Sequence, residues 1–257
     1  MSQRYKIVIA YDGTAYAGWQ VQPGRRTIQG EIEHALQQIT GSHVRVESSG
    51  RTDRGVHARG QVAHFDLPSA MPPAKLLIGI NSFLDDDIRI MRAAQAPSDF
   101  HARFSATGKE YRYFIRNEPV RDPFARAYAA WMYGTLDVPA MQQAAKVLEG
   151  RHDFAAFAAN PKREVDGTVR CLYELRVTQR SADIMIRAKG DGFLYKMVRS
   201  LAGFLIRVGR GELKPEMAHT ILASKLRTAR VPTAMPEGLF LWKVYYRPIK
   251  SSMLDAG

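Results

Sequence analysis

Cysteine is almost missing from this chain. The single residue, Cys171, excludes an internal disulfide and any cysteine-built zinc or iron–sulfur site, and it fits a reducing compartment. Long apolar runs are missing too, since no stretch approaches the ~20 residues needed to cross a bilayer. The amino-terminal MSQRYKIVIAYDG passes from a basic start into a strand-length apolar run without a small-residue cleavage site, unlike a signal peptide. A cytoplasmic protein with no membrane attachment is therefore expected. Acidic residues are the third shortage: 25 Asp and Glu face 37 Lys and Arg, a formal net charge of +12. That balance suits a polyanionic partner, nucleic acid ahead of an anionic membrane, although a merely solubilising surface yields the same sum. Neither a complete dinucleotide fingerprint nor a P-loop is present.

What is there is an ordinary share of apolar residues, 46% of 257, enough core for two domains or one large one. Tyr5 to Tyr11 reads as a strand, and Ile28, Ile32, Ala35, Leu36 and Ile39 share one helical face between a Thr27 N-cap and a Gly41 stop. Val44–Glu47 and Gln61–Asp66 read as strands, Leu76 to Leu84 repeats at helical spacing, and Asp87–Ala93 closes a β-α-β-β-α-β set. The second half repeats it. Glu110–Arg116 is a strand, Asp137 caps a helix ending at Gly150, and Val169 to Val177 and Ile184–Ile186 alternate. Leu194 to Val208 forms an apolar helical stripe, a short helix begins at Pro215, and Leu239–Tyr246 is the last strand before a frayed tail from Ser251. The expected fold is α+β, two ferredoxin-like halves with mainly antiparallel sheets forming a central cleft, divided as 1–106 and 107–257.

Chemistry concentrates in the loop Ser48–Gly60, SSGRTDRGVHARG, where one carboxylate, Asp53, stands among Arg51, Arg54 and Arg59. Glycines keep such a loop thin enough for a phosphodiester to approach, and nearby cations favour an ionised carboxylate. A solvated turn in which Asp53 only satisfies backbone N–H groups explains the composition equally well. The first loop joins Tyr16, Trp19, Gln20 and Gln22 to Arg25 and Arg26, a mixture suited to stacking on bases and pairing with phosphates, unless Tyr11 and Trp19 are core. In HARFSATGKEYRYFIR, Tyr111 and Tyr113 project from one strand face, with Tyr113 the more ordinary of the two.

GRTDRGVHA, KEYRYF, FLYKMVRSLAG and AMPEGLFL, in that order, resemble the motifs of the TruA-type tRNA pseudouridine synthases, over nearly the whole chain. The resemblance implies that Asp53 is the catalytic aspartate, Tyr111 the tyrosine that meets the target base, and Arg199 the basic partner of the aspartate. It further implies that Arg51 helps extrude the nucleotide and that Leu239 lines the pocket. Uridines 38, 39 and 40 of the tRNA anticodon arm would be the substrate, the enzyme a homodimer with no cofactor and no metal. One departure stands out: Met235 occupies a position where the family motif has proline.

Isomerising uridine to pseudouridine leaves redox state unchanged, so the chemistry itself asks for a carboxylate and a cation rather than an electron carrier. Two rivals exist. A non-catalytic RNA-binding protein could use the same sheets, although KGDGFLY matches the RNA-recognition consensus poorly. A metal-dependent nuclease built on Asp85, Asp86 and Asp87, with Asp53 and His57 as further ligands, is disfavoured because consecutive strand residues alternate faces, and the histidines at 34, 43, 64, 101, 152 and 219 show no ligand spacing.

Overall fold

Alternation decides the first strand: Tyr5, Ile7, Ile9 and Tyr11 of β1 (Gln3–Tyr11) are buried while the residues between them are not. The computed structural model describes residues 2–161 and 167–248. They fall into two units, Met1–Thr107 with Phe240–Pro248, and Gly108–Leu239.

In the first unit β1 leads to α1 (Ile28–Thr40), β2 (Glu47–Ser48), β3 (His57–Leu67), α2 (Pro73–Ser82) and β4 (Ile88–Ala96). Helix α1 starts where Thr27 accepts a hydrogen bond from the Gly30 N–H, and it stops at Gly41, whose φ of 72° an L-residue rarely adopts. Strand order is β4-β1-β3 with β2 on the far side of β3, all antiparallel, the ferredoxin-like arrangement. Ile28, Ile32 and Leu36 of α1 and Leu76 and Ile80 of α2 join the buried side chains of β1 and β3 in one core.

The alternation at 44–47 predicts a longer strand than β2. Val44 and Val46 are buried, but the Val46 N–H donates to the Glu33 side chain at 2.9 Å rather than to a ladder, so regular pairing starts only at Glu47. The carboxy-terminal β10 (Leu239–Tyr245) belongs to this unit through Phe240–Tyr245, pairing parallel to β3 as Phe240 opposite His57 and Leu241 opposite Ala58. Gly60 permits this approach, because a Cβ there would lie 2.6 Å from the Trp242 carbonyl. The Phe240 ring stacks on His57 at 4.5 Å, and the Thr107 N–H donates to the Tyr245 carbonyl.

The second unit runs β5 (Gly108–Asn117), β6 (Ala130–Met132), α3 (Val138–Leu148), β7 (Gly150–Asp153), β8 (Val169–Arg180), β9 (Asp183–Gly190), α4 (Met197–Gly209) and α5 (Met217–Ser224). Its sheet is ordered β5-β9-β8-β7, antiparallel throughout, with β6 added parallel to β5. Asp137 caps α3 by accepting from the Ala140 N–H. Helix α4 begins three residues after Leu194, which lies in the preceding turn, and buries nearly all of its apolar residues. The β5-α3-β8-β9-α4 path restates β1-α1-β2-β3-α2, and β6, β7 and α5 are additions to it. The tail read as frayed, 251–257, lies outside the described residues.

Candidate active site

In the first unit the loop that carries Asp53 is held by its backbone. The Ser49 N–H donates to the Val62 carbonyl at 2.7 Å, Ser49 Oγ donates to Gln61 Oε1, and Gln61 Nε2 donates to the Gly50 carbonyl. The Trp19 N–H donates to the Thr52 carbonyl, the Tyr11 hydroxyl meets Thr52 Oγ1 at 2.8 Å, and the Val56 N–H closes a turn on the Asp53 carbonyl. Gly55, at φ 74°, makes that turn possible. Two glycines of the first loop admit the Asp53 loop: a Cβ on Gly13 would lie 2.0 Å from the Val56 carbonyl oxygen, and one on Gly18 2.7 Å from that of Thr52. Ser49, Thr52 and Val56 are buried; Asp53 is half-buried, and Arg51 and Arg54 are exposed. The loop is thus a backbone-fixed frame that leaves Arg51, Arg54 and Arg59 exposed and Asp53 half-buried.

The first loop corrects one expectation. Tyr16 is buried, as are Tyr11 and Trp19, whose rings lie 6.2 Å apart, so none of the three is a stacking surface for RNA. The Tyr16 hydroxyl donates to Asp87, and burial first, with this hydrogen bond next, pushes its pKa well above the usual tyrosine range. The three successive acids are likewise taken: Asp85 pairs with Arg26, Asp86 with Arg89, and Asp87 receives Tyr16.

The second unit gathers the other candidates around β5 and the start of α4. Tyr111 and Tyr113 share the buried face of β5, and the Tyr111 ring meets Phe193 edge-on at 5.1 Å. Tyr113 is structural: its hydroxyl donates to the Met235 carbonyl at 3.0 Å, and burial drives its pKa far up. On the opposite face of β5, the buried Glu110 is clamped by Arg112 at 2.9 Å and Arg187 at 3.2 Å, an ion cluster that fixes the strand next to Tyr111. Sequence reasoning missed it, because Arg187 lies on β9 and only the β5–β9 register brings the two together.

Arg199 sits in the first turn of α4, where its Nε donates to the Ala234 carbonyl at 2.7 Å while the Ala234 N–H donates to the Arg199 carbonyl at 3.0 Å. The segment carrying Ala234 is itself pinned. Arg227 donates to Ser200 Oγ, Thr233 Oγ1 and the Phe157 carbonyl, and Pro232 packs against Gly203, where a Cβ would lie 2.1 Å from the Pro232 oxygen. Met235 adopts φ −59° and ψ 146°, the conformation a proline would impose, so its side chain departs from the family motif without altering the turn. Gly238 then packs on the Tyr113 ring, and Leu239, also buried, ends the turn. Tyr113, Arg199 and the stretch from Ala234 to Leu239 therefore form one connected construction, with Tyr111 beside it on β5. With Lys196 preceding α4, Arg199 in its first turn and no acidic residue there, this helix start attracts anions.

The histidines hold something that their spacing conceals. Ligand atoms of Glu47, His64 and His101 lie within 4.8 Å of one another. However, His101 Nδ1 accepts the backbone N–H groups of Arg103 and Phe104, at 3.1 and 3.3 Å. With Nδ1 accepting, Nε2 is the donor of this ring and is directed at Glu47 Oε2 3.3 Å away, where a metal would need a bare nitrogen. The group is better described as a polar clamp.

A model of the tRNA pseudouridine synthase family matches residues 7–105 and 144–247, which include Asp53, Arg199 and Leu239 and leave Tyr111 between the two stretches. The chain is 45% identical over 247 residues to the tRNA pseudouridine synthase A of Geobacillus kaustophilus, covering 96% of this chain and 95% of that one. It is 47% identical to the protein of that name from Bacillus subtilis, over 95% and 99% of the two chains. Identity to the Brevibacillus brevis protein is 46%, over 95% and 100%.

Proposed function

This chain belongs to the tRNA pseudouridine synthase family, and from that premise we propose that it modifies uridines 38, 39 and 40 of the anticodon arm, with Asp53 as the catalytic carboxylate. An isomerase acting on tRNA uridine must break the bond from ribose C1′ to N1, turn the base, join C5 to C1′ and remove the C5 proton. Asp53 serves either as nucleophile at C1′ or as base at C2′, and both routes need the carboxylate ionised at the sugar. Arg199 is the cation that answers it in the tRNA complex, Tyr111 packs on the extruded base, Arg51 takes up the space the base leaves in the stack, and Leu239 gives the pocket an apolar wall. Extrusion costs about a few kcal/mol, offset by arginine contacts to the phosphates. The enzyme works as a cytoplasmic homodimer.

The observation that carries this reading is the placement of the GRTD segment: its backbone is tied down at Ser49, Thr52 and Val56, and a half-buried carboxylate and exposed arginines are presented from it. The membership also decides against a protein that only binds RNA. Pseudouridine mapping in tRNA treated with wild-type protein and with Asp53→Asn tests the assignment, with tritium release from C5-labelled uridine as the rate. Modification at 38–40 by the wild type and none by the variant, at unchanged tRNA affinity, is expected; wild-type turnover by Asp53→Asn would end the proposed role.

A further inference from the structure

Between β4 and β5 the chain makes a turn, His101–Ser105, whose rigidity exceeds what a connection needs. The Ser105 N–H donates to the His101 carbonyl at 2.9 Å and the His101 N–H to Ser105 Oγ at 3.0 Å. The Arg103 and Phe104 N–H groups share His101 Nδ1, the Ala102 N–H donates to His64 Nδ1, and the Ala102 carbonyl accepts the Tyr246 hydroxyl at 2.7 Å. Glu47 then holds the His101 ring through Nε2. Loops ordinarily leave such groups to water.

The side chains this turn presents are Arg103 and Phe104. Phe104 is 75% exposed, its ring lies on His101 with centroids 4.3 Å apart, and the Arg103 guanidinium sits 5.5 Å from its centroid. An exposed phenylalanine fixed in place contributes nothing to the core and loses rotamer freedom. An aromatic face held rigid beside an arginine, on a chain of net charge +12, is what stacking on a nucleobase with phosphate pairing calls for. The anchor residue His64 is seven positions along β3 from His57, about 23 Å of strand, although Glu47, which holds the turn, directly precedes the loop Ser48–Gly60.

We propose that the turn His101–Ser105 is a second contact site for the tRNA, with Phe104 stacking on an unpaired base and Arg103 pairing with a phosphate. It rests on the tRNA substrate of the proposed function but not on the assigned catalytic residues.

The test is tRNA binding by the full-length protein across a salt series, with turnover measured in parallel. Phe104→Ala is expected to weaken binding about tenfold, within the range for loss of one stacked base, while the slope of log K against log salt stays unchanged. Arg103→Ala is expected to weaken binding and to make that slope shallower by about one phosphate's share, ~0.7–0.9. Phe104→Trp retains binding, and kcat at saturating tRNA is preserved in all three. Wild-type affinity in both alanine variants, with unchanged melting temperatures, overturns the site. Lost affinity that tracks loss of self-association in sedimentation also overturns it, because the turn would then join protein to protein. A wild-type protein that fails to modify tRNA refutes the enzymatic reading instead, so the two failures are separable.

Discussion

Adding one methyl group inside α4 sets two effects against each other. Gly→Ala in a helix interior ordinarily gains about 1 kcal/mol from propensity. At Gly203 the new Cβ would stand 2.1 Å from the Pro232 oxygen, so the 231–234 segment must retreat by about 1 Å before ordinary contact is restored. Overpacking of that kind costs about 1–3 kcal/mol. Pro232 is also only two residues from Ala234, whose carbonyl takes the Arg199 Nε at 2.7 Å, and a hydrogen bond to a charged group is worth about 1.5–3 kcal/mol. Strain and the strained bond together outweigh propensity, leaving Gly203→Ala destabilised by about 2 kcal/mol, roughly 4–8 °C in Tm for a chain of this size. Because Arg199 moves with the segment, kcat should fall at least about tenfold, the equivalent of 1.4 kcal/mol at the barrier. Gly79→Ala is the control: in α2 its Cβ meets only the Ile39 side chain, at 3.4 and 3.6 Å, so propensity should prevail and Tm hold or rise. Scanning calorimetry and tritium release on both variants decide the matter. A Gly203→Ala protein that melts at or above the wild type refutes the claim that this glycine exists to admit Pro232.

Arg227→Ala removes the donor from Ser200, Thr233 and the Phe157 carbonyl and should cost about 1.5–3 kcal/mol in urea unfolding, with Arg227→Lys recovering only part of it. Tyr113→Phe leaves the Met235 carbonyl without its donor, for a loss of about 1 kcal/mol by the same measurement. Burial first, and His101 next, lower the pKa of His64, so the folded protein takes up its proton less readily than the unfolded chain. Stability should therefore fall as pH drops below the ordinary histidine value of 6.5, and the Tm-against-pH curve of His64→Gln should lack that part of the decline.

Much of the fold was legible because period carries it. Alternation marked β1, and the caps Thr27 and Asp137 with Gly41 marked α1 and α3 to within a residue or two; β8 was legible as a strand, but its register shift between Leu172 and Glu174 buries Leu172 rather than Cys171 or Tyr173. What escaped were arrangements set by distant partners: the Glu33 side chain that takes the Val46 N–H from a ladder, and the parallel pairing of β10 with β3. At the candidate site, the motifs singled out Asp53, Tyr111 and Arg199 but said nothing of what holds them. Composition could not tell that Tyr16 faces inward, nor that Arg227 braces Thr233 beside Arg199's acceptor. Such supports join residues tens of positions apart, beyond any local period.

The late arrival of β10 has a consequence for biosynthesis. A ribosome delivering about 5–20 residues per second finishes β3 roughly 9–35 s before Phe240 follows. Throughout that interval the nascent amino-terminal half exposes the margin at His57 and Ala58 that Phe240 and Leu241 will later occupy. Maturation of the half that bears Asp53 must therefore wait for translation to near its end, and a prematurely terminated polypeptide would leave that half open to adventitious strand addition.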